Sequence, residues 1–399
     1  MSPVPILVQK FGGTSVSTPE ARQHVAAHVR RARDDGYQVA IVVSAMGRRG
    51  DPYATDTLLD LLRRDADVVD PRDYNLMFIC GEAISVPIVA QTLRRAGIPA
   101  TGLTSAQAGI FTDGNPLEAE IARIDTSRLR SLLERGEVPV ITGGQGVAPG
   151  TLDFNTLGRG GSDTSGVAVG VALGAAKVEI FTDVEVISAT DPRLVPEAAR
   201  IRQIGYASMH AMARWGAKVV HPRAIMAGMR GGTPIVLRST FSQDPGTVIA
   251  NVADAGGVVG IAALSSMETV ALPAGSADAS RRAQWEQRSV IMSADDRASG
   301  DLVVGAGSEK VGELDAAVAE LGATVRRLGP CCWASVIGEG AALREQVPRS
   351  RAELDRSGIA LLAFEAAEGR STFVVPEAAR GAAVRALYAV AFGETTSTG

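Results

Sequence analysis

Short apolar runs that each end at a polar, glycine-rich cluster constrain the fold of this 399-residue chain more than any other feature. Residues 5–9 and 38–43 are such runs, as are "VPVITGG", "VEIFTDV" and "IVLRST", and helical patterns such as residues 19–34 lie between them. Apolar strands that alternate with helices are typical of a parallel sheet buried on both faces. The sequence therefore predicts an α/β fold: an open, mostly parallel sheet sandwiched by helices.

Four of the polar clusters lie where parallel strands would end, at residues 10–15, 44–47, 143–146 with 158–163, and 182–183. Open parallel sheets bind ligands beyond the carboxyl ends of their strands, and glycine lets backbone N–H groups approach a phosphate. One such cluster is equally typical of a tight strand-to-helix turn, whereas four favour a nucleotide and anion site. The sequence contains neither a G-x-x-x-x-G-K-[ST] loop nor a G-x-G-x-x-G motif after a strand.

Lysine is rare in this chain and its positions are informative. Lysine and arginine total 40, yet lysine occurs only at positions 10, 177, 218 and 310. This bias indicates that interchangeable surface cations have become arginine. A lysine at the end of a strand and directly before two glycines, as Lys10 is, therefore points to a function that needs lysine.

Net charge, the length of apolar runs and the cysteine positions limit the classes of partner and the cellular compartment expected of this chain. A net charge of -4 argues against a nucleic-acid or membrane-surface partner. No apolar run reaches about 18 residues, so no transmembrane helix is expected, and the N-terminus lacks the features of a signal peptide. Cys80, Cys331 and Cys332 fit no disulfide or metal framework, which indicates a reducing cytoplasm.

The length and a change of character near residue 256 predict more than one domain. Residues 1–250 carry the parallel-sheet pattern, and residues 241–257 read as a linker. Beyond it, shorter strands and helices repeat, as in "GDLVVGAG", "KVGELDAAVAELG" and "ATVRRLG", then "CCWASVIGEG" and "ALREQVPRSRAELDRSG". We expect two small α+β units, at residues 257–330 and 331–399, whose strands can interleave.

Eight motifs in residues 6 to 250 resemble those of aspartokinases, members of the amino acid kinase superfamily. They are "VQKFGGTSV", "VVSAMG", "GDPYATDTLLDLL", "CGEAIS", "NTLGRGGSDTS", "FTDVE", "ATDPR" and "WGAKVVHPRAI", in the order and spacing of that family. The C-terminal part resembles the paired ACT domains that follow such kinase domains. The resemblance implies an amino-acid kinase catalytic domain over residues 1–250, followed by two ACT-like units.

The resemblance also implies an activity, which is phosphoryl transfer from MgATP to the β-carboxylate of L-aspartate, giving 4-phospho-L-aspartate. Mg²⁺ would be held mainly by the nucleotide phosphates, without protein ligands. A carboxylate is already ionised at neutral pH, so the reaction needs positioning and cations rather than a general base. The implied protein is cytoplasmic and assembles as a homodimer or higher homo-oligomer through the ACT-like units.

The site residues are carried over from the same resemblance. Lys10 would contact the transferred phosphoryl group, Lys218 the nucleotide phosphates, and Asp163 would hold the cations in register, as three catalytic residues. The ATP side is assigned to Lys10, Phe11, Gly12, Gly13, Ser44, Thr182, Asp183, Ser188, Asp191, Arg193 and Lys218. The acceptor side is assigned to Thr14, Ser15, Thr57, Glu82, Gly144, Thr156, Arg159, Gly160, Gly161 and Ser162.

Within the acceptor side, Arg159 would bind the α-carboxylate as a bidentate fork, and Glu82 would accept hydrogen bonds from the α-ammonium group. Other interpretations stay open for some residues: Asp163 as a helix N-cap, and Glu82 as a solvated helix residue. His210 and His221 are expected to pack or cap rather than bind a ligand. Residues 331–333 are expected in a buried strand.

Several positions depart from the aspartokinase pattern. Gly144 replaces a phenylalanine that packs on the substrate, which predicts extra room beside the acceptor. Val186, Ser188 and Ala211 replace residues near the nucleotide, and a β-branched residue at 186 predicts a reshaped loop. The C-terminal units lack the Pro-Gly turns of family ACT domains, in "GSADASRRAQW" and "VPRSRAEL".

These departures define the alternatives. The leading hypothesis is an active aspartate kinase whose tail dimerises but has weakened or lost feedback by lysine or threonine. A second is a specialised enzyme that phosphorylates a modified or bulkier acidic amino acid, motivated by Gly144. A third is a non-catalytic regulatory subunit that binds ligands through its ACT-like units.

Overall fold

The computed structural model describes residues 4–65, 68–254, 257–273, 275–278, 280–281, 284–285, 291–293, 300–321 and 325–393. The chain forms two compact units. The first unit comprises Met1–Ile187, Ile201–Tyr206 and Val219–Val252, and the second comprises Ser188–Arg200, Ala207–Lys218 and Ala253–Gly399. Two stretches within the predicted first domain, residues 188–200 and 207–218, are thus grouped with the C-terminal part.

The strands are numbered in chain order. They are β1 Ile6–Phe11, β2 Gln38–Val43, β3 Ala100–Leu103, β4 Ile110–Thr112, β5 Ile121–Ile124, β6 Val138–Thr142, β7 Gln145–Val147, β8 Phe154–Thr156, β9 Lys177–Thr182, β10 Ile187–Ser188, β11 Arg200–Ile201, β12 Gln203–Gly205, β13 Ile235–Ser239, β14 Thr247–Ala250, β15 Gly257–Leu272, β16 Ile291–Ser293, β17 Leu302–Gly307, β18 Arg326–Glu339, β19 Ala363–Ala367 and β20 Arg370–Pro376.

The α-helices of the described residues are numbered in the same way. They are α1 Gly13–Val16, α2 Pro19–Asp34, α3 Thr55–Asp65, α4 Pro71–Arg95, α5 Ser127–Glu134, α6 Gly161–Leu173, α7 Tyr206–Arg214, α8 Pro222–Gly231, α9 Val311–Ala319, α10 Gly340–Arg356 and α11 Arg380–Phe392. Short 3₁₀ helices lie at Ser308–Lys310 and Glu377–Ala379.

The first unit is built on an eight-stranded sheet in the order β12-β14-β13-β9-β1-β2-β6-β3. Within it, β13 and β14 pair antiparallel, whereas β1 pairs in parallel with both β2 and β9. A four-stranded sheet, β5-β4-β7-β8, belongs to the same unit. The predicted mostly parallel α/β fold is confirmed, and β2 and α2 have the bounds expected from the sequence.

Alternation along β1 explains which side chains reach which face, because successive residues of a strand point to opposite faces. Leu7 and Phe11 join a buried cluster with residues of α2 and α4. Lys10 points to the opposite face, where α6 packs on β1 and a Cβ at Gly166 would lie 3.0 Å from Lys10 Cβ. The buried strand β1 therefore places Lys10 against α6.

Helix α4 begins and ends at clear sequence signals. Asp70 caps its N-terminus by accepting from Arg72 N at 2.8 Å, Pro71 is the first helical residue, and Arg94 and Arg95 lie in the last turn. In the described part of the chain this is the one helix that could cross a membrane by length and composition alone. The sequence expectation of no such helix rested on the absence of an apolar run of about 18 residues.

In the fold, α4 packs on α3, β3 and β6. Its Val86, Val89 and Leu93 are buried in the same cluster as β2 and β6. A core helix of a folded protein can be as long and as apolar as a membrane-spanning helix. The packing of α4 within the first unit therefore explains its length and apolar composition.

Within the described residues, the second unit contains a six-stranded antiparallel sheet in the order β16-β17-β15-β18-β20-β19. One half, β15 and β17 with α9, encloses a core that includes Val270, Leu302 and Leu314. The other half, β18 and β20 with α10 and α11, encloses a separate core that includes Phe373 and Val384. The predicted α+β class of this region is confirmed.

Strand β18 corrects one detail of the sequence interpretation. The segments "ATVRRLG" and "CCWASVIGEG" were expected to form separate strands, but both contribute to this single strand of 14 residues. Gly329, whose φ is +79°, pairs with Thr269, and a register shift between Thr269 and Val270 leaves Leu328 as the extra residue, so pairing with β15 continues through Pro330. The boundary expected between residues 330 and 331 lies within β18. The expected burial of residues 331–333 is confirmed.

Candidate active site

An ion pair at the carboxyl end of β1 forms the centre of the candidate site. Lys10 Nζ lies 2.6 Å from Asp163 Oδ1, and the two side chains are only 10% and 14% exposed. Asp163 stands in the first turn of α6, whose N-cap is Gly160, so the alternative of Asp163 as the N-cap is wrong. The helix thus fixes the carboxylate that holds the lysine.

An open pocket of about 230 Å³ adjoins this ion pair. Its lining is Lys10, Gly12, Gly13, Thr14, Gly47, Arg48, Asp163, Ile180, Phe181, Thr182 and Val219. The lining combines two cationic side chains with a glycine-rich backbone, which suits an anionic ligand such as a polyphosphate. The clusters at residues 10–15, 44–47 and 182–183 contribute to this pocket, as does 158–163 through Asp163, whereas residues 143–146 of the predicted clusters are not part of its lining.

Gly13 is required by close backbone approach. A Cβ at this position would lie 2.7 Å from Gly47 O and 2.8 Å from Ala45 O. Gly47 N–H donates to Gly13 O at 3.1 Å, which ties the loop after β2 to the loop after β1. Gly12 N–H donates to Phe181 O at 3.2 Å and is therefore engaged within the fold, contrary to the expectation that it contacts phosphate.

Phe11 and Ser15, two residues assigned to ligand binding, are fully buried. Phe11 stacks on Phe181 with ring centroids 4.6 Å apart. Ser15 Oγ shares a hydrogen bond of 2.6 Å with Thr240 Oγ1, and His28 Nε2 donates to Thr240 O at 2.9 Å. The side chains of Phe11 and Ser15 therefore support the loop of Gly12 and Gly13 from the protein interior and do not face the pocket.

Glu82 is the most perturbed carboxyl group near the site. It is 4% exposed, which rules out a solvated helix residue, and its Oε1 accepts from Ala45 N at 3.2 Å. Burial raises the pKa of Glu82 to about 8, although the hydrogen bonds from backbone N–H groups favour the ionised form. A cationic partner such as an ammonium group would favour ionisation of this carboxyl group.

The remaining residues of the predicted acceptor side surround the loop after β6. Ser44 Oγ donates to Ser162 Oγ at 2.9 Å, and Thr156 Oγ1 contacts Gly144 O at 3.4 Å. Ser162 and Asp163 are consecutive in α6, so the acceptor side adjoins the Lys10 ion pair. Arg159 is exposed.

Other assigned residues complete the same loops. Thr57 Oγ1 accepts from Gly50 N at 2.9 Å, which orders the loop before α3. Gly160 has a left-handed φ of +66°. The predicted capping role of His221 is confirmed, since its side chain caps α8 by accepting from Arg223 N at 3.4 Å.

The space beside Gly144 is not open, contrary to expectation. A Cβ at Gly144 would lie 3.6 Å from the Cε1 and Cζ atoms of Phe78, an aromatic residue on α4. Among the other departures, Val186 is buried and is not one of the described residues with positive φ, so its loop adopts a conformation that valine tolerates.

Four residues of the predicted nucleotide side belong to the second unit: Ser188, Asp191, Arg193 and Lys218. Arg193 forms a fork on Asp191, with an Nη2–Oδ2 distance of 2.7 Å, and this hydrogen bonding holds the pKa of Asp191 below its usual value. Lys218 is exposed, and Val219, the next residue, lines the pocket of the first unit. The roles of these four residues stay predictions.

Two residues near the site escaped sequence reasoning. Arg48 lines the pocket and pairs with Asp183 at 2.6 Å, and its signal was a cation directly after "SAMG". Phe78 carried only the signal of an apolar residue one turn before Glu82. Groups of three or more His, Cys, Asp or Glu side chains that could hold a metal ion do not occur within the described residues.

Comparison with known proteins agrees with this architecture. Residues 5–239, more than half of the chain, match the model of the amino acid kinase family. The chain belongs to the amino acid kinase family. Aspartokinase 1 of Bacillus subtilis is 44% identical over 244 residues, which are 61% of this chain and 60% of that protein. Aspartokinase of Thermus thermophilus is 43% identical over 248 residues, 62% of this chain and 60% of that protein. The chain matches about 60% of the length of these curated relatives.

Solved structures extend the likeness to nearly the whole chain. Aspartate kinase from Synechocystis is 31% identical, with a TM-score of 0.56, over 98% of this chain and 70% of that one. E. coli aspartokinase III, in complex with aspartate and ADP, has a TM-score of 0.78 over 97% of this chain and all of that one. At 21% identity that likeness shows the fold. The predicted resemblance of this family member to aspartokinases is confirmed.

Proposed function

We propose that this member of the amino acid kinase family transfers the γ-phosphoryl group of ATP to the β-carboxylate of L-aspartate, giving 4-phospho-L-aspartate. The observation that carries the proposal is the buried pair of Lys10 and Asp163 beside a cationic, glycine-lined pocket. The names of the relatives, which are aspartokinases, support the choice of acceptor.

This phosphoryl transfer requires side chains that supply positive charge and hold the reactants in position. The acceptor carboxylate is ionised at neutral pH and attacks without a general base, while negative charge spreads over the transferred group. Lys10 supplies a compact positive charge there, and Asp163 keeps it in place. Pre-positioned charges of this kind need no reorganisation during the reaction.

Magnesium fits this site as an ion that the nucleotide carries. The lining offers Lys10 and Arg48, and its Asp163 carboxylate is already paired with Lys10. Such a donor set suits phosphates better than a bare cation. When bound, Mg²⁺ neutralises phosphate charge during transfer.

We assign recognition of the acceptor to Glu82 and Arg159. The ionised form of Glu82 would accept from the α-ammonium group, and burial of the carboxyl makes this contact selective for a cation. Arg159 is exposed and presents a planar fork that suits the α-carboxylate.

We further propose that the second unit provides ACT-like dimerisation in a cytoplasmic protein, with a catalytic domain at residues 1–250 and ACT-like units at residues 257–330 and 331–399 whose strands interleave through β18. The α+β halves of its sheet and their separate cores support the ACT-like assignment. The missing Pro-Gly turns support weakened feedback. The first of these sequences, at residues 275–285, lies partly outside the described residues. Strong inhibition by millimolar lysine plus threonine would contradict the weakened feedback.

An ATP-dependent hydroxamate assay over a panel of acidic amino acids tests the proposed function. The expected result is efficient turnover of L-aspartate, with a loss of activity in Lys10→Ala and a raised KM for aspartate in Arg159→Ala. Preference for a larger or modified acid would favour the specialised enzyme. No turnover of any acid would favour a regulatory subunit.

A further inference from the structure

The ring of Phe78 occupies the space beside Gly144 in the predicted acceptor site. A Cβ at Gly144 would be 3.6 Å from the Cε1 and Cζ atoms of that ring and 3.5 Å from Ser162 N. Gly144 has a φ of +76°, a conformation that L-residues rarely adopt. The loop therefore exposes only backbone at Gly144, and the side chain nearest to this position is the aromatic ring of Phe78.

Phe78 lies on a face of α4 that is anchored on both sides of it. Asn75, Phe78 and Glu82 are three and four residues apart, so their side chains share one helix face. Asn75 is buried, donates to Pro116 O at 2.7 Å and accepts from Thr156 N at 3.2 Å. Glu82 accepts from Ala45 N at 3.2 Å. These anchors fix the position of the half-buried ring between them.

The loop that faces Phe78 is equally constrained. Gly144 N–H donates to Ser165 Oγ at 2.8 Å, and Gly144 O accepts from Leu157 N at 2.9 Å. Neither the helix nor the loop can move far without breaking buried hydrogen bonds, which are costly to leave unmade. The distance between the ring and the backbone is therefore a fixed dimension of the site.

We propose that Phe78 is a specificity-determining residue for the acceptor, forming an apolar wall that admits a four-carbon acidic amino acid and disfavours a longer one. The inference rests on the proposed function. Glu82, one helical turn from Phe78, anchors the α-ammonium end, so the ring limits how far the carbon chain can extend. Phe78 donates and accepts no proton, and its role is one of shape.

Acceptor discrimination in Phe78→Ala tests this role. The hydroxamate assay is run with ATP and either L-aspartate or L-glutamate, which differ by one methylene group. The kcat/KM ratio of aspartate to glutamate is expected to fall on the order of 10-fold, the discrimination that one methylene commonly carries in an apolar pocket. The KM for ATP is expected to stay unchanged, because Phe78 is outside the lining of the phosphate pocket.

Leu76→Ala is the matched control, because Leu76 lies on the same helix and is 53% exposed. It should keep the wild-type ratio. Phe78→Leu, which retains an apolar side chain, should shift the ratio less than Phe78→Ala, and it replaces the alanine variant if thermal unfolding shows that variant to be unfolded.

The outcomes separate this inference from the proposed function. If the wild type phosphorylates aspartate and the Phe78 variants keep the same ratio as Leu76→Ala, Phe78 does not set specificity and the proposed function survives. An equal loss of activity toward both acids would also overturn the inference, because it indicates a structural role. If the wild type phosphorylates no acidic amino acid, both proposals fail.

Discussion

The buried carboxyl of Glu82 gives the most quantitative prediction, tested by replacing it with glutamine. Its pKa is raised from 4.5 to about 8 in the folded protein by burial. The carboxyl therefore retains its proton in the folded state between these pH values, whereas the unfolded chain has released it. The contribution of this carboxyl to the free energy of unfolding is therefore fully present below pH 4.5 and is lost as pH rises toward 8.

The size of this effect follows from the shift. One pKa unit corresponds to 1.36 kcal/mol, so the folded wild type should lose about 5 kcal/mol relative to Glu82→Gln between acidic pH and pH above 8. Glutamine stays neutral and can keep the hydrogen bond from Ala45 N–H. For a unit of this size, the difference corresponds to a relative change in Tm of about 10 to 20 °C.

Thermal unfolding of both proteins, without ligand and from pH 5 to 9, measures this difference. Glu134→Gln is the matched control, because Glu134 is exposed on α5, and its Tm should follow that of the wild type. The affinity of the wild type for aspartate should rise with pH up to about 8, since the ionised carboxyl binds the ammonium group. Parallel Tm curves for wild type and Glu82→Gln over this range would refute the reasoning.

Three further predictions follow from named contacts. Lys10→Ala should stay folded but lose on the order of 10² to 10³ in kcat; full activity with L-aspartate would contradict the assignment, and Lys310→Ala should behave as the wild type. Ser15→Ala leaves the buried hydroxyl of Thr240 without its partner and should lower the free energy of unfolding by about 1 to 3 kcal/mol; in urea denaturation, additive losses in a double-mutant cycle with Thr240→Val would contradict the coupling. Trp333→Ala removes a fully buried ring from the second unit and should lower that free energy by about 3 to 5 kcal/mol; a Trp333→Ala variant as stable as Trp333→Phe would contradict it.

Local patterns were sufficient to predict the central strands of the first unit's sheet and the convergence of its loops, whereas β14 lies within the predicted linker, residues 241–257. Residues 38–43 and 19–34 are continuous in sequence and carry strong periodicity, so their bounds were predicted closely. Strand β15 was missed, because "SSMET" interrupts its apolar pattern with polar residues that the sheet accommodates at an irregularity. Such tolerance depends on the neighbouring strand and is not visible in the segment itself.

In the candidate site, too, some features were predictable from local sequence and others depend on contacts between distant segments. The ion pair of Lys10 and Asp163 was predicted from motifs, but its geometry depends on how α6 packs on β1. Ser15 was assigned to the ligand, yet its partner Thr240 is 225 residues away in sequence. The contact of Phe78 with Gly144 likewise joins a helix and a loop that no local pattern connects.

The central claim is that the β-carboxylate of aspartate attacks the γ-phosphoryl group of ATP in this site. The most direct measurement uses L-aspartate labelled with ¹⁸O in the β-carboxylate, with hydroxylamine to trap the product. Hydroxylamine attacks the carbonyl carbon and releases phosphate that keeps the bridging oxygen. The account predicts phosphate that carries one ¹⁸O atom by ³¹P NMR, whereas unlabelled phosphate, which indicates attack by water, would contradict it.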